Sequence, residues 1–414
     1  KVLVIGGGIA GLSAAYELTR LNLDVDLVEK SSFLGGHAIQ FCCKADDECQ
    51  KCGACSVEKR LKEVIEEPRI KVSLRSELTG MNRNGRFSYT LSLKPLHIDP
   101  KKCTNCGLCL EKCPAEGAIA RGYSKNNVPF YAIDQNNCLY FKDGSCKLCQ
   151  DVCPEKAVTL DQGDSQASSE ADAIVVATGF EAFDPLTRSW YGYGINKNVI
   201  TALDLERILR QKGEVLRPSD NKACEKIAFI QCVGSREPKL QHGFCSQVCC
   251  SYAMRMAQAI SHRSPEIKAT IFYMDIQNCG KDFPDFYMKC KENIGFVRLA
   301  PYDIFPGEED RLILRYSDEK DGHLVDEAFD IVVLSIGIMP GLSNASLADL
   351  LKIDLDEYGF FACSDPLDGT PTSQKGVFLA GTAQAPKDIA DSMAQAGQAA
   401  YKVAQYLGVM PCPK

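Results

Sequence analysis

The first thirty residues restrict the possible folds more than any other stretch. Lys1-Val-Leu-Val-Ile5 is a short apolar run that leads directly into Gly6-Gly7-Gly8-Ile9-Ala10-Gly11, and Leu12 to Arg20 carries apolar residues at helical spacing. A second apolar run, Val25-Asp-Leu-Val28, ends in Glu29. A glycine triplet alone means no more than a βα turn. Strand, G-x-G-x-x-G turn, helix, strand and acid in one unit predict a dinucleotide-binding βαβ fold. Gly6 permits the tight turn, Gly8 lets backbone approach a pyrophosphate, and Gly11 lets helix and strand pack closely. The free amides of the helix N-terminus suit phosphate, and Glu29 is placed to accept from ribose hydroxyls.

The following residues narrow the dinucleotide. Glu29-Lys30-Ser-Ser-Phe-Leu-Gly35-Gly36-His37 resembles the acid-then-Gly-Gly segment of flavoproteins of the glutathione and thioredoxin reductase type. Ala171 to Gly179, ending in Ala-Thr178-Gly179, looks like that family's A-T-G strand, and Gly376 to Thr382, through Gly381, looks like its late strand beside the flavin. Each alone is an ordinary buried strand and turn. In this order the resemblance implies FAD, held at Gly6, Gly8, Gly11, Glu29, Lys30, Gly35, Gly36, His37, Thr178, Gly179 and Gly381.

A length of 414 residues allows two or three domains, and 45% hydrophobic with 24% charged residues describes a soluble globular protein. The net charge of -7 argues against nucleic acid as the main partner. No apolar run approaches the ~20 residues needed to cross a bilayer, and no signal-peptide pattern is read at Lys1. A cytoplasmic chain without direct membrane insertion is expected, with partner subunits supplying any contact at the inner membrane face.

Cysteine is the compositional anomaly: of 22, five fall in residues 42–55, eight in 103–153 and four in 232–250. On a nucleotide-binding fold in a reducing compartment, clustered cysteines point to metal ligands or redox groups rather than disulfides. Cys103-x2-Cys106-x2-Cys109-x3-Cys113-Pro is the bacterial ferredoxin run, and Cys138-x7-Cys146-x2-Cys149-x3-Cys153-Pro repeats it with a widened first gap. In two-cluster ferredoxins the last cysteine of each run ligates the other cluster. Cys103, Cys106, Cys109 and Cys153 are therefore expected on one [4Fe–4S], and Cys138, Cys146, Cys149 and Cys113 on the other. A pair of four-cysteine zinc sites would not account for the two Cys-Pro steps. Upstream, Cys49-x2-Cys52-x2-Cys55, with Cys42 or Cys43 as a fourth ligand, has the spacing for a further cluster but lacks the following Cys-Pro. Redox-inert or disulfide-prone loop thiols remain the alternative there. Residues 69–99 alternate apolar and polar positions around Asn84-Gly85, a hairpin signal, and residues 163–170 read as a polar linker.

In the middle of the chain Lys226 to Cys232 is a good strand, but Val-Gly-Ser-Arg236-Glu follows it and no second G-x-G-x-x-G is found. Cys232, Cys245, Cys249 and Cys250 occupy this region instead, which fits another cluster better than a nicotinamide cradle. Gln231-Cys-Val-Gly-Ser-Arg236, Phe244-Cys-Ser-Gln-Val-Cys-Cys-Ser-Tyr-Ala-Met254 and Ile271-Phe-Tyr-Met-Asp-Ile276 resemble the A subunit of heterodisulfide reductase. That resemblance implies a [4Fe–4S] cluster on those four cysteines beside the flavin, a C-terminal helix running toward the flavin from Pro386-Lys387-Asp388-Ile389, and Lys281 over the isoalloxazine. A solvated surface lysine is the other reading of Lys281. The methanogen-type subunit carries an extra N-terminal domain and a C-terminal ferredoxin domain that are not read here. The shorter form is similar to the A subunit of the quinone-interacting membrane-bound oxidoreductase of sulfate reducers, with adenylylsulfate reductase as implied partner. A sulfur-oxidising heterodisulfide-reductase-like complex is the competitor.

The expected fold is α/β: a two-dinucleotide-binding-domain flavoprotein of the thioredoxin/glutathione reductase kind with an inserted two-cluster ferredoxin domain. The FAD domain is expected in three parts (1–98, 163–195 and 341–414), with the ferredoxin insertion at 99–162 and a middle domain at 196–340. The expected function is flavin and iron–sulfur electron transfer between a quinol or thiol–disulfide module and a soluble acceptor, with flavin bifurcation or confurcation open to it. An NAD(P)H-dependent ferredoxin-fused flavin oxidoreductase is the alternative.

Overall fold

Strands buried on both faces belong in the interior of a covered parallel sheet. Val2–Ile5, Val25–Val28, Ala173–Val176 and Val377–Leu379 are buried at every position. In the computed structural model, which describes residues 1–123, 129–277, 282–319 and 321–409, all four lie parallel. The order is Val377–Leu379, Ala173–Val176, Val2–Ile5, Val25–Val28, with Ile70–Ser73 at the far edge. Helices Ile9–Arg20, Ala54–Glu66 and Ile389–Tyr406 cover one side, sharing a core of Leu12, Leu18, Leu61, Val64, Ala396 and Val403. An antiparallel sheet of Ser76–Asn84, Arg86–Leu93 and Ser165–Ala171 covers the other, packing Phe87, Tyr89 and Leu91 against Leu3, Ile174 and Val176.

Two expectations are corrected here. Residues 69–74 do not join the hairpin: Ile70–Ser73 pairs in parallel with Val25–Val28, and the chain turns at left-handed Arg75 before the hairpin begins at Ser76. The alternation in 70–73 marks an edge strand covered on one side. Residues 163–170 are not simply a linker either, because Ser165–Ala171 pairs along its length with Arg86–Leu93. Its side chains face solvent up to Ala171, so backbone hydrogen bonds hold it and no apolar pattern marks it.

The insertion leaves and re-enters this lobe through a narrow neck, where Asp99 N donates to Ala157 O and Thr159 N to His97 O, both at 2.8 Å. It has its own small core of Ile98, Ala118, Ile133, Ala157, Val158 and Leu160. Arg75, buried on the lobe side, donates to Ile133 O at 2.8 Å and pins the insertion down.

The middle lobe repeats the plan. Val199–Thr201, Ile331–Ile336, Lys226–Val233, Lys268–Phe272 and Gly295–Val297 form a second five-stranded parallel sheet in that order. Helices Ala202–Lys212, Cys249–Arg263 and Phe283–Asn293 pack one core, and an antiparallel meander of Asp303–Pro306, Leu312–Ser317 and Leu324–Phe329 lies against the other. Two crossing strands, Glu181–Ala182 and Ile338–Met339, pair where the chain passes between the lobes. Among the described residues no helix is long and apolar enough to cross a membrane.

Candidate cofactor and cluster sites

In the first lobe four loops meet at the carboxyl ends of the parallel strands. Gly35 N donates to Gly7 O at 2.8 Å and bridges Gly8, which lays the Gly-Gly segment along the glycine turn. Gly11 admits no side chain, because a Cβ there would lie 1.8 Å from Gly6 O. Gly381, left-handed at φ +71, would place a Cβ 2.5 Å from the Ala10 Cβ, so the late strand's turn abuts the first turn of Ile9–Arg20. Glu29 accepts from Gly7 N at 2.6 Å and Ser31 N at 2.7 Å. Each carboxylate oxygen keeps a lone pair for a ribose hydroxyl. His37 stacks on Phe180, with ring centroids 4.5 Å apart, just past Thr178 and Gly179. Exposed Lys30 instead pairs with half-buried Glu181 at 3.0 Å.

These residues fit a dinucleotide. The N-cap Gly8 offers no side-chain cap, leaving the first helical amides for a ligand. The Thr178 hydroxyl is buried with no hydrogen-bond partner among the described residues. Lys387 donates to Gly381 O and Ala385 O at 2.8 Å and to Gln384 at 3.2 Å. Burial pushes its ammonium down to about 8. Asp388 caps the last helix by accepting from Asp391 N at 2.8 Å, and Ile389 lies against left-handed Gly53. Gln395, which sequence reasoning missed, accepts from Gly381 N at 2.8 Å.

In the insertion the cysteines are brought together crosswise. Cys109 is faced by Cys103, Cys106 and Cys153, while Cys113, Cys138, Cys146 and Cys149 line one cavity. Burial, then neighbouring thiols, pushes Cys149 up to about 11; Cys109 reaches about 11 through burial and three facing cysteines. Thiolates gathered this way need a cationic core to replace their protons. A tetrahedral zinc would draw four sulfurs to about 3.8 Å from one another. Among the described residues no three cysteine sulfurs lie mutually within 4.8 Å; the one donor group that close is Asp318, Asp321 and His323, on an exposed loop.

The middle-lobe thiols sit where a parallel sheet usually receives its ligand. Lys226–Val233 breaks register between Ile230 and Val233, which turns Cys232 into the left-handed region (φ 61). Cys249 is faced by Cys232, Cys250 and Cys245 and opens the helix Cys249–Arg263. Arg236, Gln241 and Gln247 are left-handed as well. Each such residue costs on the order of 1–3 kcal/mol, and they gather at functional sites. Gln247 N already donates to Cys245 Sγ at 3.3 Å. Burial pushes Cys232 up to about 11 and Cys249 further still.

The upstream loop is divided. Cys42 is buried in the middle-lobe core, its thiol pushed up to about 12 by burial and then by the nearby Glu206 carboxylate. Cys43, Cys49 and Cys55 are exposed and Cys52 half-buried. The loop is fastened to the middle lobe at several points: Lys44 pairs with Glu206, Arg263 donates to Cys43 O, Lys289 to Asp46 at 3.2 Å and Lys51 to Asp282 at 2.6 Å. Lys281, Cys279 and Cys412 lie outside the described residues. Cys224 and Cys290 fill core space.

Residues 4–48 match a profile described as an NAD(P)-binding Rossmann-like domain, and residues 102–157 one described as a 4Fe-4S dicluster domain. The folds of the thioredoxin reductases of T. acidophilum and Lactococcus lactis superpose with TM-scores of 0.52 at 14% and 16% identity, covering 98% and 99% of this chain and 97% and 99% of theirs. The A subunit of the H(2):CoB-CoM heterodisulfide,ferredoxin reductase of Methanothermobacter marburgensis is 35% identical over 98% of this chain and 63% of its own length. The iron-sulfur A subunit of the CoB--CoM heterodisulfide reductase of Methanocaldococcus jannaschii is 36% identical over 97% and 63%. This chain, spanning less than two thirds of those relatives, is a homologue of the heterodisulfide reductase A subunit, built on a thioredoxin-reductase fold with a 4Fe-4S dicluster domain.

Proposed function

We infer that the chain is a flavin- and iron–sulfur-dependent electron-transfer subunit of a heterodisulfide-reductase-like oxidoreductase complex. The observation that carries this reading is the carboxyl end of the middle lobe's central strand, where Cys232, Cys245, Cys249 and Cys250 converge on the start of the Cys249–Arg263 helix. In a lobe that binds a nicotinamide dinucleotide, that helix end faces pyrophosphate across a glycine turn. Here a bulged strand and four thiols take the place.

FAD would be held by the amides after Gly8, by Glu29 and by the turns at Thr178 and Gly381, with Lys387 fixing the last of these. The dicluster domain would hold two [4Fe–4S] centres, the middle-lobe thiols a third, and Cys43, Cys49, Cys52 and Cys55 a further one. When bound, the flavin supplies conversion between paired and single electrons and the clusters relay single ones. The protein's own part is to fix the spacing of the thiols and, in the insertion and the middle lobe, to bury part of each set. Partner subunits provide the terminal chemistry, and adenylylsulfate reductase is the soluble acceptor proposed. Any attachment at a membrane would be made through those partners.

The test is iron analysis of the anaerobically purified chain beside its Cys249→Ala/Cys250→Ala variant. Loss of about four irons per chain in the variant is expected, one cube's worth. Unchanged iron would refute the assignment, and bleaching of the flavin by NADH or NADPH would favour a nicotinamide-dependent oxidoreductase instead.

A further inference from the structure

Once ligands are assigned in the middle lobe, two charged side chains beside them remain unexplained. Arg236 lies four residues past Cys232, and its guanidinium reaches the Cys232 thiol. Asp275 grips the guanidinium from behind: Nη1 and Nη2 donate to its two carboxylate oxygens, Nη2 at 3.1 Å. Gln277 Nε2 donates to the same carboxylate at 3.0 Å. The Asp275 backbone also meets the thiols, since Cys250 Sγ lies 3.8 Å from its carbonyl oxygen. The backbone of Arg236 is held in turn. It is left-handed at φ 56, its amide donates to Phe244 O at 3.0 Å, and the Glu237–His242 bridge closes the hairpin that delivers Cys245. A fixed positive charge therefore borders the thiol set, with a fixed negative charge directly behind it.

An independent observation concerns the residues flanking Cys232. Gln231 and Ser235 are 7% and 2% exposed, and neither the Gln231 amide nor the Ser235 hydroxyl has a partner among the described residues. Leaving such groups unpaired in the interior is costly. Donors held ready beside four thiols suit sulfur acceptors that arrive with a cluster, in the way outer groups orient and tune metal ligands.

The geometry points to Arg236, steadied by Asp275, as the residue that sets the reduction potential of the cluster on Cys232, Cys245, Cys249 and Cys250. This rests on the reading that those cysteines hold a cluster. Reduction adds one negative charge at the site, and a neighbouring cation favours that state over the oxidised one. Asp275 is a positioning residue whose own charge opposes the effect. Arg236→Gln should therefore make the cluster harder to reduce, and Asp275→Asn should make it easier.

The experiment is an anaerobic redox titration followed by electron paramagnetic resonance on the full chain, with iron counted in every sample. The Cys249→Ala/Cys250→Ala variant identifies which signal belongs to this site; if it loses neither iron nor a signal, the cluster reading itself fails. Given that signal, Arg236→Gln is expected to lower the one-electron equilibrium constant for reduction about tenfold, about 59 mV. Asp275→Asn should raise it, and Arg236→Lys should stay near the parent. Constants within twofold of the parent in both Arg236→Gln and Asp275→Asn, or shifts of the same sign, overturn the proposal. So does loss of about four irons in both Arg236 variants, which would make the residue a structural support.

Discussion

Replacing Lys44 with Met tests how the cysteine loop is locked to the middle lobe. The Lys44 side chain is 2% exposed and its ammonium pairs with Glu206, which is wholly buried. The same ammonium lies 5.1 Å from the Phe41 ring centre and 5.2 Å from that of Tyr252. Glu206 also accepts from Cys42 N at 2.8 Å. In Lys44→Met only neutral groups, the Cys42 amide and thiol and the Tyr252 hydroxyl, are left to compensate a carboxylate in the interior. Breaking a buried pair by removing one partner costs about 3–5 kcal/mol, or roughly 6–20 °C in the melting midpoint of a 150–250-residue unit. Glu206→Gln added to Lys44→Met should recover much of the loss at pH 8. Melting curves and limited proteolysis of the loop would measure this. A Lys44→Met midpoint within about 2 °C of the parent at pH 8 would refute the reasoning.

Other outcomes follow from single distances. Gly11→Ala drives a Cβ to within 1.8 Å of Gly6 O; it should destabilise the first lobe by about 1–3 kcal/mol and release its dinucleotide, read by melting and by absorbance of the purified chain. Cys153→Ser should abolish the signal of the cluster proposed on Cys103, Cys106, Cys109 and Cys153, rather than that of its own run, which resonance spectra of single-run variants would show. Lys387→Met removes a cation that burial holds down to about 8, below its usual 10.5. The folded lysine is disfavoured most below pH 8 and least above pH 10.5. The variant's stability relative to the parent, without bound cofactor, should therefore be highest near pH 7 and fall between pH 8 and about 10.5.

What could be read from the chain itself depended on how far apart the cooperating residues are. The glycine turn with Glu29, and the two ferredoxin runs, place their groups within one βαβ unit or one turn, so spacing alone carries the chemistry. The crosswise exchange of Cys113 and Cys153 was legible because the run is doubled. The strand Ser165–Ala171 was not, since an exposed edge strand held by backbone bonds needs no apolar alternation. The strand Ile70–Ser73 was placed with the wrong partners because four alternating residues fit either a hairpin or a sheet edge.

Local pattern by itself determined a dinucleotide-binding type of βαβ unit at the start, a doubled ferredoxin cysteine run in an insertion, and thiols in place of a second glycine turn. Only the tertiary structure decided which distant charges meet: Lys44 with Glu206, and Arg236 with Asp275. Those pairs join segments 162 and 39 residues apart in sequence. No periodicity or spacing rule reaches across such separations; the first pair forms where a loop of the first lobe packs on the middle lobe, the second where the loops after two neighbouring strands of one sheet meet, and a charge is tolerated in the interior only where packing supplies its opposite.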